Sequence, residues 1–111
     1  MFAESLIAKA RVDHDQATID WTVIVGFYSA LHLVAAELAN HGLHPRTLKE
    51  RSDQLLAVSA DSDMCRAYDI LQTMSEQARY GMRHFDFEAV EYQVFGVYLP
   101  RVQRVVLGSV L

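Results

Sequence analysis

The sequence predicts an all-α protein, an up-and-down helical bundle of four long helices and one shorter helix, with residues 1–111 forming a single domain. Three observations predict it. The chain has only two Pro and five Gly in 111 residues. It holds no sustained alternation of apolar and polar residues, and its apolar residues recur at steps of three and four almost throughout. Apolar residues make up 51 % and charged residues 22 %, the balance of a folded domain rather than a disordered chain.

The first helix is expected from Phe2 to about His14, with Phe2, Leu6, Ile7 and Ala10 on one apolar stripe. Thr18 or Asp15 can cap the second helix, whose stripe is Ile24, Phe27, Tyr28, Leu31, Val34, Ala35 and Leu38, with Val23, Leu33 and Ala36 off it. This helix is apolar around most of its circumference, so it should be central and touch several neighbours. Gly42 supplies the left-handed residue that closes it. Pro45 suits the first position of a third, more exposed helix over Arg46 to Ser59, which presents Leu48, Leu55, Leu56 and Val58. Ala60 to Asp63 form a polar joint with cap candidates. Met64, Ala67, Tyr68, Leu71, Met74, Ser75, Ala78 and Met82 then keep helical spacing, and Gly81 weakens the last turn. Asp86 can cap the final helix, carried by Phe87, Val90, Val94, Val97, Tyr98, Val102 and Val105. Pro100 faces Gly96 four residues back, which predicts a bent helix or two pieces.

The charge balance limits the partners. With 10 Lys plus Arg against 14 Asp plus Glu, the net charge is −4, so no global positive field gathers nucleic acid and any such contact must be local. Eight of the basic residues are Arg, the side chain suited to forked recognition of phosphate or carboxylate. Cys65 is the single cysteine, which excludes an intrachain disulfide and a multi-cysteine zinc site and makes a reducing, cytoplasmic compartment the default. The first fifteen residues carry an early Glu4 and no basic leader, unlike a signal peptide. The apolar stretch from Ile19 to Ala39 is interrupted by Asp20, His32 and Glu37, which favours a bundle helix over a membrane span. No cofactor is expected. His41 and His44 with His32 or Cys65 make a poor metal set, because Gly42 breaks the helix between the first two.

The clearest polar cluster is Arg79-Tyr80-Gly81-Met82-Arg83-His84. A guanidinium that grips phosphate and an imidazole that moves protons near neutral pH are the minimum for cleaving RNA through its own 2′-hydroxyl without a metal. Spacing alone is weak, since about one such Arg-to-His pairing is expected by chance in this composition. Three further segments supply context: Asp20-Trp21 through FYSALHLV (27–34), then HPRT (44–47) with Arg51, then SEQARY (75–80). In that order they resemble the HEPN superfamily (higher eukaryotes and prokaryotes nucleotide-binding), over roughly residues 17 to 107. The resemblance implies a HEPN-like helical bundle that forms a homodimer. It also implies, in active members, a metal-independent endoribonuclease whose Arg-x4-6-His motifs from two subunits line one cleft.

Arg79 and His84 match that motif. The resemblance implies His84 as general acid or base, Arg79 as the group stabilising the phosphate, and Arg83 with Tyr80 as auxiliary RNA or phosphate contacts. It makes plausible a toxin or phage-defence role, with RNA as substrate and a minimal nucleotidyltransferase as antitoxin partner. Two positions depart from the pattern: Tyr80 follows Arg79 where active members commonly carry Asn, Asp or His, and Leu48 stands where related sequences often carry His. They keep open the alternative of a noncatalytic module that dimerises or binds a nucleotidyltransferase.

Plainer roles stand beside each residue. Arg79 can pair with Glu76 on the helix surface, and His84 can cap the negative end of its helix. His32, set among apolar residues, reads as a hydrogen-bonded core histidine. Tyr80, Tyr92 and Tyr98 can stack on bases or simply pack.

Overall fold

A computed structural model describes residues 16–59 and 61–110, with side chains described to 107. The described residues are helical with no strand. In chain order they form α1 (Gln16–Asn40), α2 (Leu48–Val58), α3 (Ser62–Arg79), α4 (Phe87–Ala89), a π-helical segment (Val90–Tyr98) and α5 (Leu99–Val110). The last three run on without a break, as one helical stretch. The expected first helix and Asp15 lie outside the described residues.

α1 contacts every other long element, as its all-round apolar surface requires. At 1.5 Å per residue it is about 37 Å long, most of the 42 Å long axis of the molecule. By length and composition it could also cross a membrane, but its buried residues form the centre of the core. Ile19, Val23, Phe27, Ala30, Val34 and Leu38 pack against Met64, Tyr68 and Leu71 of α3 and against Val94 and Val102 of the C-terminal stretch. The expected stripe is therefore rotated. Val23 is fully buried, whereas Tyr28 is 37 % exposed. His32 moves outward with that rotation: it is an exposed side chain, not a core histidine, because it lies two residues from both Ala30 and Val34 and so on the opposite face.

The helix ends follow local chemistry. Thr18 does not cap α1. It is buried within the helix, where its carbonyl accepts a 2.7 Å hydrogen bond from the Thr22 hydroxyl. Gly42 has φ +75°, and the bonds Gly42 N–H to Ala39 O and Leu43 N–H to Leu38 O close α1 in a Schellman motif. The end of α3 repeats it: Gly81 has φ +65°, with Gly81 N–H bound to Ala78 O and Met82 N–H to Gln77 O. Met82, expected on the apolar stripe, falls beyond this cap and is exposed. Asp61 caps α3 by accepting from Met64 N–H at 2.9 Å.

Pro45 is not the first residue of α2. Thr47 caps that helix, accepting from Glu50 N–H at 3.1 Å, while the Glu50 carboxylate reaches back to Arg46 N–H at 2.8 Å. Thr at the cap and Glu three residues on outcompete Pro as the start signal. Only Leu55 of α2 is buried, and Leu56 is exposed.

Pro100 neither breaks nor divides the last helix. It has no N–H to offer the Gly96 carbonyl, and upstream of it the hydrogen-bond register widens, so that Leu99 N–H donates to Val94 O. The buried positions run Phe87, Val90, Val94, Leu99, Val102, Val106. The five-residue step from Val94 to Leu99 moves the core face by one residue from the expected Tyr98 and Val105, which are half-buried.

Candidate functional site

Arg79 is the last residue of α3, and its backbone is set by the Gly81 cap that ends the helix. Its guanidinium crosses to α1, where Nη2 donates to the Tyr28 hydroxyl and the guanidinium carbon lies 5.5 Å from the centroid of the Tyr28 ring. It makes no ion pair with Glu76, whose carboxylate instead accepts from Gln72 at 3.4 Å. A guanidinium carries its charge at any accessible pH, and the Tyr28 hydrogen bond favours that charged form further.

Arg79 lines a cleft of about 310 Å³ with Ala17, Asp20, Trp21, Ile24 and Ala78. Trp21 forms its exposed wall, at 59 % accessibility. Asp20 lies at its polar edge, where Oδ1 accepts a 2.8 Å hydrogen bond from the Gln16 amide. Trp21 and Tyr28 lie in the segments that carry the family resemblance, but the sequence assigns neither of them a place in the site. A signal was present, since the two aromatics stand seven residues apart on one helical face, but only the fold places Arg79, 51 residues further on, against that face.

The other motif residues separate. Tyr80 is the C-cap of α3 and is 70 % exposed. His84 is exposed on the loop between α3 and α4; among the described residues no hydrogen bond or ion pair joins it to Arg79. Arg83 turns to a different surface. Its guanidinium carbon sits 4.5 Å from the centroid of the buried Phe85 ring, and it lines a second groove of about 520 Å³ along α3 with Cys65, Arg66, Asp69 and Gln77. Arg79 and Arg83 therefore do not share a pocket within one chain.

Cys65 is buried, and Sγ lies 3.9 Å from the Leu55 carbonyl. Desolvation pushes its thiol up from the ordinary range, the opposite of an activated nucleophile. Tyr68 is likewise raised by burial, with partial offset from the nearby Arg51. Its hydroxyl has no hydrogen-bond partner of good geometry, and neither have Arg51 Nε and Gln54 Oε1. Among the described residues no group of three or more His, Cys, Asp and Glu side chains could hold a metal ion.

Comparison with protein-family models, with curated proteins and with solved structures gives no match.

Proposed function

We propose that this chain is a metal-independent endoribonuclease of HEPN type that acts as a homodimer on single-stranded or loop RNA. One observation carries the reading: a permanently charged Arg79, braced by Tyr28, opens onto a cleft walled by an exposed Trp21, and His84 follows five residues later, exposed on the adjoining loop.

In the proposed reaction His84 takes the proton of a ribose 2′-hydroxyl, and the 2′-oxygen attacks the adjacent phosphorus. The bond to the 5′-oxygen of the next nucleotide breaks, and that oxygen leaves with a proton donated by an imidazolium, the one His84 has just become or that of the second copy across the two-fold interface. The products are a 2′,3′-cyclic phosphate and a free 5′-hydroxyl. Arg79 stabilises the charge that builds on the non-bridging oxygens. One chain leaves both groups open to water. A two-fold interface over the motif loop would supply a second guanidinium and imidazole and would cover Tyr80 and Met82, large apolar side chains exposed beside the motif. A toxin or defence role with a nucleotidyltransferase as antitoxin fits the same reading.

The test is cleavage of a hairpin RNA by the purified full chain in excess EDTA, with His84→Ala and Arg79→Ala as controls. Metal-independent cutting that both variants lose supports the proposal; cutting unchanged in both refutes it.

A second reading, a noncatalytic dimerisation module that binds a nucleotidyltransferase, is favoured by one feature: the Arg79 guanidinium is already engaged by Tyr28 and followed by Tyr80 rather than by a small polar residue. It predicts a dimer without cleavage.

A further inference from the structure

We infer that the Trp21 cleft is a single-nucleotide subsite that selects bases bearing an exocyclic amino group. This inference rests on the nucleic-acid reading above and adds to it the class of base that stands next to the gripped phosphate.

Three side chains of different chemistry line the same 310 Å³ space, a volume at the lower end of small-ligand pockets, about 300–1,000 Å³. Trp21 offers an indole face 59 % open to solvent. A large aromatic left exposed beside a fixed cation is a stacking platform for an unpaired base, and such stacking tolerates any base because each has a π-face. Arg79 lines the α3 side of the cleft; one of its N–H groups is given to the Tyr28 hydroxyl, and the other donors of the guanidinium are left to meet the phosphate attached to a base stacked on Trp21. Ile24 and Ala78 make the floor, both nearly buried, so the space between platform and cation is apolar below and open above.

Asp20 supplies the selectivity. A carboxylate beside a phosphate site opposes anion binding unless the ligand also brings a hydrogen-bond donor to it. With Oδ1 held by Gln16, Oδ2 remains to accept from an N–H₂. Cytosine, adenine and guanine carry such a donor and uracil and thymine do not, and acceptance by Asp from the cytosine amino group is a recurrent base contact. A uracil or thymine in the same place offers only its N3–H, flanked by two carbonyl oxygens that oppose the carboxylate, and so makes the poorer partner. The cleft therefore favours C, A or G over U by about tenfold, the scale of one hydrogen bond to a charged group.

Trp21 is the single tryptophan in the chain, so its fluorescence reports the cleft alone. Labelled ten-nucleotide oligodeoxycytidylate and oligothymidylate, which lack the 2′-hydroxyl and cannot be cleaved, are titrated into the full chain. Label anisotropy and tryptophan emission are followed together. The inference expects saturable quenching with both oligomers and about tenfold tighter binding of the cytosine oligomer. It expects Asp20→Ala to erase that preference, and Trp21→Ala, an exposed position whose loss leaves the core intact, to weaken both oligomers by anisotropy. Binding by anisotropy without quenching, or quenching without base preference, overturns the inference while the nucleic-acid reading stands. Absence of any anisotropy change overturns the inference, and cleavage of the hairpin RNA then decides the nucleic-acid reading by itself.

Discussion

Replacing Gly26 by Ala should destabilise this protein, although at most helical positions the same change helps. Gly26 lies in the middle of α1, facing the π-helical segment, and a Cβ there would stand 2.6 Å from Val94 Cγ1. Optimal carbon contacts are about 3.5–4.0 Å, so the overlap is about 1 Å. Val94 cannot yield easily. It is fully buried, and a β-branched side chain in a helix holds one χ1 rotamer. Overpacking of this kind costs about 1–3 kcal/mol, while removing a mid-helix Gly returns about 1 kcal/mol of propensity. The net is a loss of up to about 2 kcal/mol. At about 2.1 cal/mol/K per residue of unfolding entropy this lowers Tm by up to about 9 °C. Thermal and urea denaturation of Gly26→Ala, Val94→Ala and the double variant form a cycle. The reasoning requires Gly26→Ala to stabilise once Val94 is Ala. A higher Tm for Gly26→Ala in the wild-type background would refute the close packing of α1 on the π segment.

Three further outcomes are expected. Tyr68→Phe should be neutral or slightly stabilising in urea denaturation, because the hydroxyl it removes is buried without a good partner; a loss above about 2 kcal/mol would mean that the hydroxyl is satisfied. Cys65 and Tyr68 are both held protonated by burial, so the folded state binds more protons than the unfolded one. The stability they contribute is complete below their unfolded values, about 8.5 and 10, and is lost as pH rises through the raised folded values. Urea midpoints should therefore fall above about pH 8.5, less steeply in Tyr68→Phe, and a flat profile would contradict the direction of both shifts. Tyr28→Phe removes the hydroxyl that holds Arg79. At this surface position it should change stability by less than about 1 kcal/mol, yet lower RNA cleavage by about ten- to a hundredfold through misplacement of the guanidinium. Cleavage rates within twofold of wild type would remove Tyr28 as a positioning residue.

Much of the fold was legible because its punctuation is local. Gly42 and Asp61 each set a helix boundary through bonds to residues within five positions, and such short-range chemistry can be read from order alone; Gly81 does the same, although the apolar Met82 beyond it extends the expected stripe one residue too far. In the C-terminal stretch the spacing finds Val94 and Val102 but places Tyr98 and Val105 on the core face where Leu99 and Val106 stand, because a π register is invisible to a test for steps of three and four; the missing N–H of Pro100 signals a disturbance of the helix without naming its form, a widened register. The rotation of α1 escaped for another reason. With apolar residues nearly all round, its pattern does not choose a face, and the choice falls to close packing at Gly26 and Val94. In the candidate site Arg79 was visible as part of a motif, but its brace Tyr28 and the cleft wall Trp21 depend on α1 and α3 packing side by side, a contact that no local pattern encodes.

The most direct test is the rate at which the purified chain cuts a loop-containing RNA in excess EDTA, compared with His84→Ala at equal protein concentration. The predicted result is cutting by the wild type, with a 2′,3′-cyclic phosphate at the new end, reduced at least about a hundredfold in the variant as loss of a general acid–base group requires. Equal rates in the two proteins, or no cutting by the well-folded chain, would contradict it.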